Sequence, residues 1–412
     1  MPAPVLFAPE TFNLAEVTRG IEVARRLATR RPVLFCGFSR RYADRIVQAG
    51  FEFRLLSPEL SEHEADQLLA LDQGKALRNP LTASVMSRRV AAERHLIHRS
   101  GAAGVVIGST VSQFISARAE ARPLVYLKPF AYSAAHIATM RSTGLWPATG
   151  RWARSWDRAG AAAARAVLPR LRLLPPGWRR LAAQNGVRLP PSSTDFLEAD
   201  LNLITTPAPF LPQPMQLPVS YAVVGPISAR LDAAIPEEVR AAADRAAPVV
   251  YVAVGSSGGR EVVLPILHGM AGAPVSVIAP AGHLLTGADR AALPQNVHVT
   301  GWLPAHRLGS LVDIAITHGG EGTVQNSLEQ GWPMILAPLQ WEQRFTAVQS
   351  TRLGLARFVP PRRLRSADWP ALVREVLADA AMRERVHQLR QQLSAMDGPS
   401  RAAQEISRVL AG

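Results

Sequence analysis

Cysteine and long apolar runs are both scarce in this sequence of 412 residues, and each absence excludes a class of protein. The single cysteine, Cys36, rules out a disulfide framework and fits a reducing compartment such as the cytoplasm. No stretch approaches the roughly 20 uninterrupted apolar residues of a membrane-spanning helix, and the N-terminus MPAPVLFAPETF lacks the layout of a secretion signal. We therefore expect a globular, cytoplasmic protein.

Lysine is nearly absent as well, because Lys75 and Lys128 are the only lysines among 46 basic residues. Together with abundant alanine, proline and glycine, this ratio is typical of GC-rich codon usage. The net charge of +14 therefore does not by itself predict a nucleic-acid partner, and none is expected.

The positive charge is concentrated in residues 141–182, which contain nine arginines, one acid (Asp157) and four tryptophans. Arginine mixed with tryptophan is typical of a segment at a membrane interface, with charge toward the headgroups and indoles at the boundary. A solvated, arginine-rich helix that covers its domain would have the same composition. Peripheral contact with the inner membrane face therefore stays open.

Short apolar runs alternate with amphipathic stretches along the chain, which predicts an α/β fold with parallel sheets. The predicted strands of the first half are PVLFA, RPVLFCG, FEFRLL, GVVIGS and PLVYL, and those of the second half are APVVYVAVG, APVSVIAP, VHVTGW, DIAIT and PMILAP. Each half is predicted to form its own doubly wound sheet. A proline-rich stretch places the boundary near residue 220, and DGPSRAAQEISRVLAG is predicted to end the chain as a helix.

Three strand ends in the second half carry unusual residues, and we expect these ends to lie side by side where α/β sheets bind ligands. GSSGG follows one strand, GWLP a second, and HGGEGT a third, where a helix begins that Gly331 closes. The first amides of such a helix are unpaired and attract an anion. The residues expected to bind the ligand are Ser256, Ser257, Trp302, His318, Gly320, Gly322 and Thr323. Together they predict a nucleoside-diphosphate site, with the tryptophan stacking on the base.

The motifs GWLP, THGGEGT, LEQGWPMILAP and WEQ follow one another in the order that is the signature of family 1, the UDP-glycosyltransferase-like glycosyltransferases. The sequence resembles the bacterial members of this family that act on natural products or other small molecules. The motif match covers residues 249–358. The resemblance implies the GT-B fold, with two facing Rossmann-like domains. It implies an acceptor-binding domain over 1–220, a nucleotide-sugar-binding domain over 221–395, and a C-terminal helix over 396–412 that returns to the first domain.

The resemblance also implies roles for the matching residues. Trp302 would stack on the base, while His318 and Thr323 would hold the diphosphate near the two serines. Glu342 and Gln343 would bind the sugar hydroxyls. Asn326 stands where plant members carry a ribose-binding glutamate.

The implied reaction is inverting transfer of a sugar from a UDP- or dTDP-sugar to an acceptor, with no metal and no cofactor beyond the nucleotide sugar. The family's catalytic base is a histidine that follows the first strand. Matching the first helix places Glu16 there, so the base is Glu16, or His136 in SAAHIA, or a group of the acceptor.

The implied partners are the nucleotide sugar and a small hydrophobic acceptor, such as a natural product or a lipid. Residues 141–190 would form an acceptor-binding or interfacial segment, and a homodimer stays open. GSSGG also fits the nucleophile elbow of α/β-hydrolases, with Ser257 as nucleophile and Asp313 and His318 as its partners. Two further alternatives are a non-catalytic protein that binds a nucleotide sugar and a GT-B epimerase.

Overall fold

A computed structural model describes residues 2–76, 78–145, 150–230, 233–243, 247–255 and 258–411 of the chain. Two compact units account for it. The first unit contains Met1–Ser142, Arg158–Ile227 and Asp397–Gly412, and the second contains Thr143–Asp157 and Ser228–Met396.

The sheet of the first unit is parallel, with the order β3-β2-β1-β4-β5-β6-β7 among the described residues. Its strands are β1 Val5–Ala8, β2 Val33–Gly37, β3 Glu52–Leu55, β4 Gly104–Ile107, β5 Leu124–Lys128, β6 Leu201–Ile204 and β7 Tyr221–Val223. The helices of this part of the chain are α1 Leu14–Leu27, α2 Ala43–Gln48, α3 Glu62–Asp72, α4 Ala83–Ser100, α5 Gln113–Ala119, α6 Ala134–Thr139, α7 Arg151–Val167, α8 Pro176–Gln184 and α9 Ser193–Phe196.

The sheet of the second unit is also parallel, with the order β10-β9-β8-β11-β12-β13 over its described strands. These are β8 Val249–Ala253, β9 Ser276–Ala279, β10 Val297–Val299, β11 Ile314–Thr317, β12 Met334–Leu336 and β13 Ala356–Phe358. The helices are α10 Glu237–Ala243, α11 Arg260–His268, α12 Gly287–Ala291, α13 Glu321–Gln330, α14 Trp341–Arg352, α15 Trp369–Ala378 and α16 Ala380–Ser394, and α17 Gly398–Val409 follows in the first unit.

Alternation along the strands explains how the first sheet is covered on both faces. In β1, Val5 and Phe7 join one apolar core, whereas Leu6 and Ala8 join the core on the other face. Helix α17 packs against α1 and buries Ile406 in the first of these cores. The predicted return of the C-terminal helix is thus part of how the first unit is built.

All ten predicted strands are present, and the parallel α/β fold is confirmed. Three strands escaped prediction, namely β6, β7 and β13. Each is only three or four residues long and carries little pattern, and the first two lie next to the proline-rich stretch that indicated a loop.

Candidate functional site

The order of the second sheet reverses between β8 and β11, and such a switch point is where open parallel sheets bind ligands. Gly255 follows β8 and His318 follows β11. We call the group formed by Gly255, His318, Gly320 and the first turn of α13 the β8/β11 site. Sequence reasoning placed all of these residues at strand ends, and the structure places them at neighbouring ones.

The imidazole of His318 is buried and lies between two glycines. A Cβ atom on Gly255 would stand 2.6 Å from its Cε1, and one on Gly320 would stand 2.5 Å from its Nε2. Gly255 also has a φ of +61°, which disfavours any residue with a side chain. The two glycines therefore leave room for the ring and for nothing larger than hydrogen at their own positions.

Burial lowers the pKa of His318 to about 4, while a hydrogen bond with the Ala253 carbonyl acts in the opposite direction. The ring is therefore neutral at pH 7 and has a single N–H. Its buried Nδ1 has no partner among the described residues.

Helix α13 begins with backbone groups rather than a side-chain cap of its own. Gly320 is the N-cap residue, and Gly319 before it has a φ of +81°. The amide of Glu321 donates to Glu342 Oε1 at 2.8 Å, so a carboxylate from α14 caps α13. A Cβ atom on Gly322 would meet nothing within 4 Å, which means that the helix start is open beside that residue.

Gln343 also serves as a helix cap in this structure. Its Oε1 accepts from the amides of Leu339 at 2.8 Å and Gln340 at 3.1 Å, and its Nε2 donates to Gln340 Oε1 at 2.5 Å. Glu342 and Gln343 are both buried. The pair predicted to bind the sugar hydroxyls therefore holds the starts of α13 and α14, and sequence reasoning had no signal for this role.

Trp302 lies farther from this site than expected. It follows β10 at the edge of the sheet, and β9 separates that strand from β8, so the expectation of three adjacent strand ends was wrong. The indole is 37% exposed and stacks on His283, with ring centroids 4.6 Å apart and an angle of 18°. His283 ends the sequence PAGH that follows β9, a strand-end signal that sequence reasoning passed over.

The remaining donor-site candidates have mixed outcomes. Ser256 and Ser257 lie outside the described residues. Thr323 is half-buried in the first turn of α13. Asn326 is half-buried as well, and its Oδ1 has no partner within the described part of the chain.

The first sheet reverses between β1 and β4, and Glu16 connects the segments that follow these two strands. Glu16 Oε2 accepts from the amides of Glu10 at 3.0 Å and Ser109 at 2.9 Å. Its Oε1 accepts from Ser109 Oγ at 2.6 Å and Asn13 Nδ2 at 3.2 Å. Burial raises the pKa of Glu16, and the hydrogen bonds from Ser109 oppose that rise. We call this group the β1/β4 site.

A buried polar network extends from the β1/β4 site and was not predicted. Arg89 donates from Nη2 to Glu10 Oε1 at 2.7 Å and stands 4.0 Å from the centroid of the Phe38 ring. Glu93 accepts from Ser112 Oγ and Ser116 Oγ, each at 2.5 Å. Burial raises the pKa of Glu93 to about 7, although Arg89 and the two serines oppose this shift.

His136 lies apart from Glu16, because it belongs to α6 after β5, and β4 separates β5 from β1. Its ring packs edge-on against Phe130 with centroids 5.6 Å apart, and burial lowers the pKa of His136 to about 4. The structure therefore does not bring the two candidate bases to the same strand end.

Comparisons with known proteins show what the chain is similar to. Residues 276–409 match the family model "Erythromycin biosynthesis protein CIII-like, C-terminal domain". A PGL/p-HBAD biosynthesis glycosyltransferase of Mycobacterium tuberculosis is 25% identical, and the match covers 93% of this chain and 87% of that protein. The structure of CalG4, the calicheamicin glycosyltransferase, superposes with a TM-score of 0.67 at 22% identity, covering 99% of this chain and 98% of that one. VinC in complex with dTDP gives 0.68 at 18%, with 99% of each chain covered.

The chain is a glycosyltransferase with the GT-B fold. The predicted fold and enzyme class are therefore confirmed, and the matched proteins are of the bacterial natural-product kind that the resemblance implies.

The hydrolase alternative is wrong for this glycosyltransferase. Asp313 precedes β11 and accepts from the Val249 amide at 2.7 Å, whereas His318 follows the same strand. Five residues of extended chain separate them by roughly 16 Å, so the aspartate cannot orient the imidazole. The relatives are named as glycosyltransferases and rhamnosyltransferases, which does not favour the non-catalytic or epimerase alternatives either.

The four tryptophans of residues 141–182 have different surroundings in the enzyme. Trp178 on α8 is buried in a core and donates to the Leu81 carbonyl at 3.2 Å, so it is a core residue. Trp152 and Trp156 on α7 are 82% and 65% exposed. Trp146 lies outside the described residues. Over the described residues, no helix is long and apolar enough to cross a membrane.

Proposed function

We propose that this glycosyltransferase takes its sugar from a nucleoside-diphosphate donor bound at the β8/β11 site. The observation that carries the proposal is the His318 ring between Gly255 and Gly320 at the switch point of the sheet, beside the start of α13. First-turn amides of a helix attract phosphate, and glycine lets a phosphate approach the backbone closely. The open space beside Gly322 is where this approach would occur.

Similar proteins support the choice of donor. VinC, which shares the fold, was solved with dTDP. Relatives over about a third of the chain include a PGL/p-HBAD biosynthesis rhamnosyltransferase of Mycobacterium bovis, 29% identical over 138 residues. A UDP- or dTDP-sugar is therefore the proposed donor, with Trp302 as the surface on which the base stacks.

We infer that transfer inverts the anomeric carbon in one displacement. The nucleophilic atom of the acceptor forms a bond to that carbon, the bond to the diphosphate oxygen breaks, and a base takes the acceptor's proton. The amides of α13 stabilise the charge that develops on the leaving diphosphate. No step in this scheme requires a metal, so transfer should continue in a chelator.

Glu16 is the proposed base. Each of its two carboxylate oxygens accepts two hydrogen bonds. The bond from Asn13 Nδ2 is the longest of the four at 3.2 Å. An acceptor hydroxyl that replaces the asparagine would meet the carboxylate directly. The raised pKa of Glu16 makes it a stronger base than an exposed glutamate.

The proposed acceptor is a small hydrophobic molecule, such as a natural product or a lipid. Relatives and solved neighbours carry names from PGL, calicheamicin and spinosyn biosynthesis, which supports this class.

The direct test is a thermal-shift panel of nucleoside diphosphates and their sugars, with and without EDTA. A ligand that binds the folded state raises Tm by mass action. We expect UDP or dTDP compounds to raise Tm equally under both conditions. Loss of the shift in EDTA would contradict metal independence, and a panel without any shift would contradict the donor site.

A matched pair of glycine variants locates the binding. Gly320→Ala places a methyl group against the His318 ring and should abolish the shift. Gly287→Ala on α12 meets nothing within 4 Å and should leave the shift unchanged. Proton NMR of the product then reads the anomeric configuration, and retention would contradict inversion.

A further inference from the structure

Helix α7 is exposed over most of its length, and only Ala161 of its residues is buried. Trp152 and Trp156 stand one turn apart with 82% and 65% of their surfaces in solvent. Two tryptophans exposed side by side are unusual on a protein surface, because each leaves a large apolar area in water. We therefore expect these indoles to be buried against a binding partner.

The helix sorts its residues into three stripes at the spacing of an α-helix. The stripe that is buried or half-buried consists of small residues and one acid, namely Ala153, Asp157, Gly160, Ala161 and Ala164. An exposed apolar stripe contains Trp152, Trp156, Ala159 and Ala163. An exposed basic stripe contains Arg151, Arg154 and Arg158. Charge and indole therefore stand side by side on the exposed surface.

The described part of the chain does not neutralise the basic stripe. Among the described residues, Arg151, Arg154 and Arg158 form no ion pair. The helix's own acid, Asp157, is engaged elsewhere, because its Oδ1 accepts from the Thr143 amide at 3.0 Å and from Thr143 Oγ1 at 2.5 Å. The stripe thus presents an uncompensated positive charge.

We propose that α7 docks the enzyme on an anionic membrane surface. The helix lies parallel to the bilayer, with Trp152 and Trp156 at the boundary between headgroups and acyl chains and the three arginines on lipid phosphates. Charge complementarity favours this occupant over an apolar protein groove, which would leave the arginines without partners. The inference goes beyond sugar transfer, since its test measures lipid binding alone.

The test is co-sedimentation of the full chain with vesicles of phosphatidylcholine, with and without phosphatidylglycerol. We expect binding only to the anionic vesicles, and weaker binding as salt is raised. Trp152→Ala/Trp156→Ala should weaken binding roughly tenfold. Arg151→Gln/Arg154→Gln/Arg158→Gln should weaken it roughly fivefold for each residue.

Two controls separate α7 from bulk charge and from misfolding. Arg362→Gln/Arg363→Gln/Arg365→Gln removes the same charge from another exposed place and should have a much smaller effect. Replacing the three α7 arginines by lysine should keep binding, and each variant should melt like the parent.

Three outcomes would overturn the proposal. They are absence of binding to anionic vesicles, equal losses in the α7 and control variants, and a change from dimer to monomer when the α7 tryptophans are removed. The last result, seen by analytical ultracentrifugation without lipid, would assign α7 to a second copy of the chain.

Discussion

The β1/β4 and β8/β11 sites occupy equivalent places in two sheets with the same central strand order, yet they are built from different groups. The first is filled by a carboxylate, that of Glu16, which accepts hydrogen bonds from both flanking segments. The second is lined by glycines, a neutral imidazole and the start of a helix.

The difference shows how one topology can serve two chemical needs. An acid at a strand end can accept a proton, whereas unpaired amides and glycines can hold an anion. The β8/β11 site also has a carboxylate, that of Glu342, but it comes from α14 and caps α13. The two sites therefore differ in the role of their carboxylates: that of Glu16 accepts a proton in the proposed reaction, whereas that of Glu342 caps a helix.

Replacing Glu16 by glutamine should break the comparison most strongly. We expect kcat to fall about 10²- to 10⁴-fold, the usual contribution of a general base. Donor affinity should not change, because the β8/β11 site is untouched. Steady-state kinetics and a thermal melt would check both points, and a rate within a few-fold of the parent would place the base elsewhere.

A companion variant, Ser109→Ala, tests the same role through pH. The Ser109 hydroxyl lowers the pKa of Glu16, so its removal should raise that pKa. A base works only when deprotonated. The acid limb of the kcat profile should therefore move to higher pH, and an unmoved limb would argue against Glu16.

The β8/β11 site should take up a proton when it binds a diphosphate. His318 is neutral with a pKa of about 4, so its ring has a single N–H, and protonation would add a second donor and a positive charge beside the phosphate. The bound anion raises this pKa, so affinity is greatest at low pH and is lost as pH rises through the raised value. Affinity should rise up to about tenfold per pH unit as pH falls from 8 to 6.

The control for this prediction is His318→Asn, measured by calorimetry in two buffers of different ionisation enthalpy. The variant should lack the extra pH slope, while protonation of the nucleotide itself affects both proteins equally. An identical slope in both proteins would show that His318 stays neutral in the complex.

Glu342→Ala should weaken binding of the nucleoside diphosphate itself, because α13 loses its cap. A lost helix cap costs about 0.5–2 kcal/mol, which corresponds to roughly 2- to 30-fold in affinity if the cap orders the bound site. Glu342→Gln keeps an oxygen for the Glu321 amide and should retain most of the affinity. If only the sugar-bearing donor binds more weakly, Glu342 is a sugar ligand, as the family resemblance implies.

Gly322→Ala should have the smallest effect and opposite signs on stability and binding. Alanine in place of glycine stabilises a helix by about 0.5–1 kcal/mol, and a methyl group here meets nothing in the protein. A phosphate at the helix start would meet that methyl group. A raised Tm with lowered donor affinity would support the site, whereas a raised Tm with unchanged affinity would place the phosphate elsewhere.

Much of the fold could be predicted because buried parallel strands are continuous apolar runs and helices end at glycines. Gly331, with a φ of +83°, ends α13 as predicted. The strand-end position of His318 followed from the same pattern. The sequence near a side chain does not indicate which distant backbone amide will donate a hydrogen bond to it. The caps made by Glu342 and Gln343 could therefore not be predicted.

Sheet order limited the other predictions. Strand ends can be found in a sequence, but the order of parallel strands depends on crossovers, and β9 therefore intervened between Trp302 and β8. The Arg89–Glu10 pair joins residues 79 positions apart, and nothing in the sequence near either residue indicates the other. Trp178 and Trp152 lie in the same stretch rich in arginine and tryptophan. Its composition does not show which tryptophan is buried, because burial depends on how the helices pack.

The course of the chain also bears on how the protein is made. Because α17 completes the core beneath α1, the first unit cannot finish folding on the ribosome until the residues of the second unit have emerged. Until α17 is synthesised, the apolar face of α1 that it covers stays exposed to solvent. Chaperone demand should consequently be greatest late in translation, and loss of the last helix should harm yield more than its length suggests.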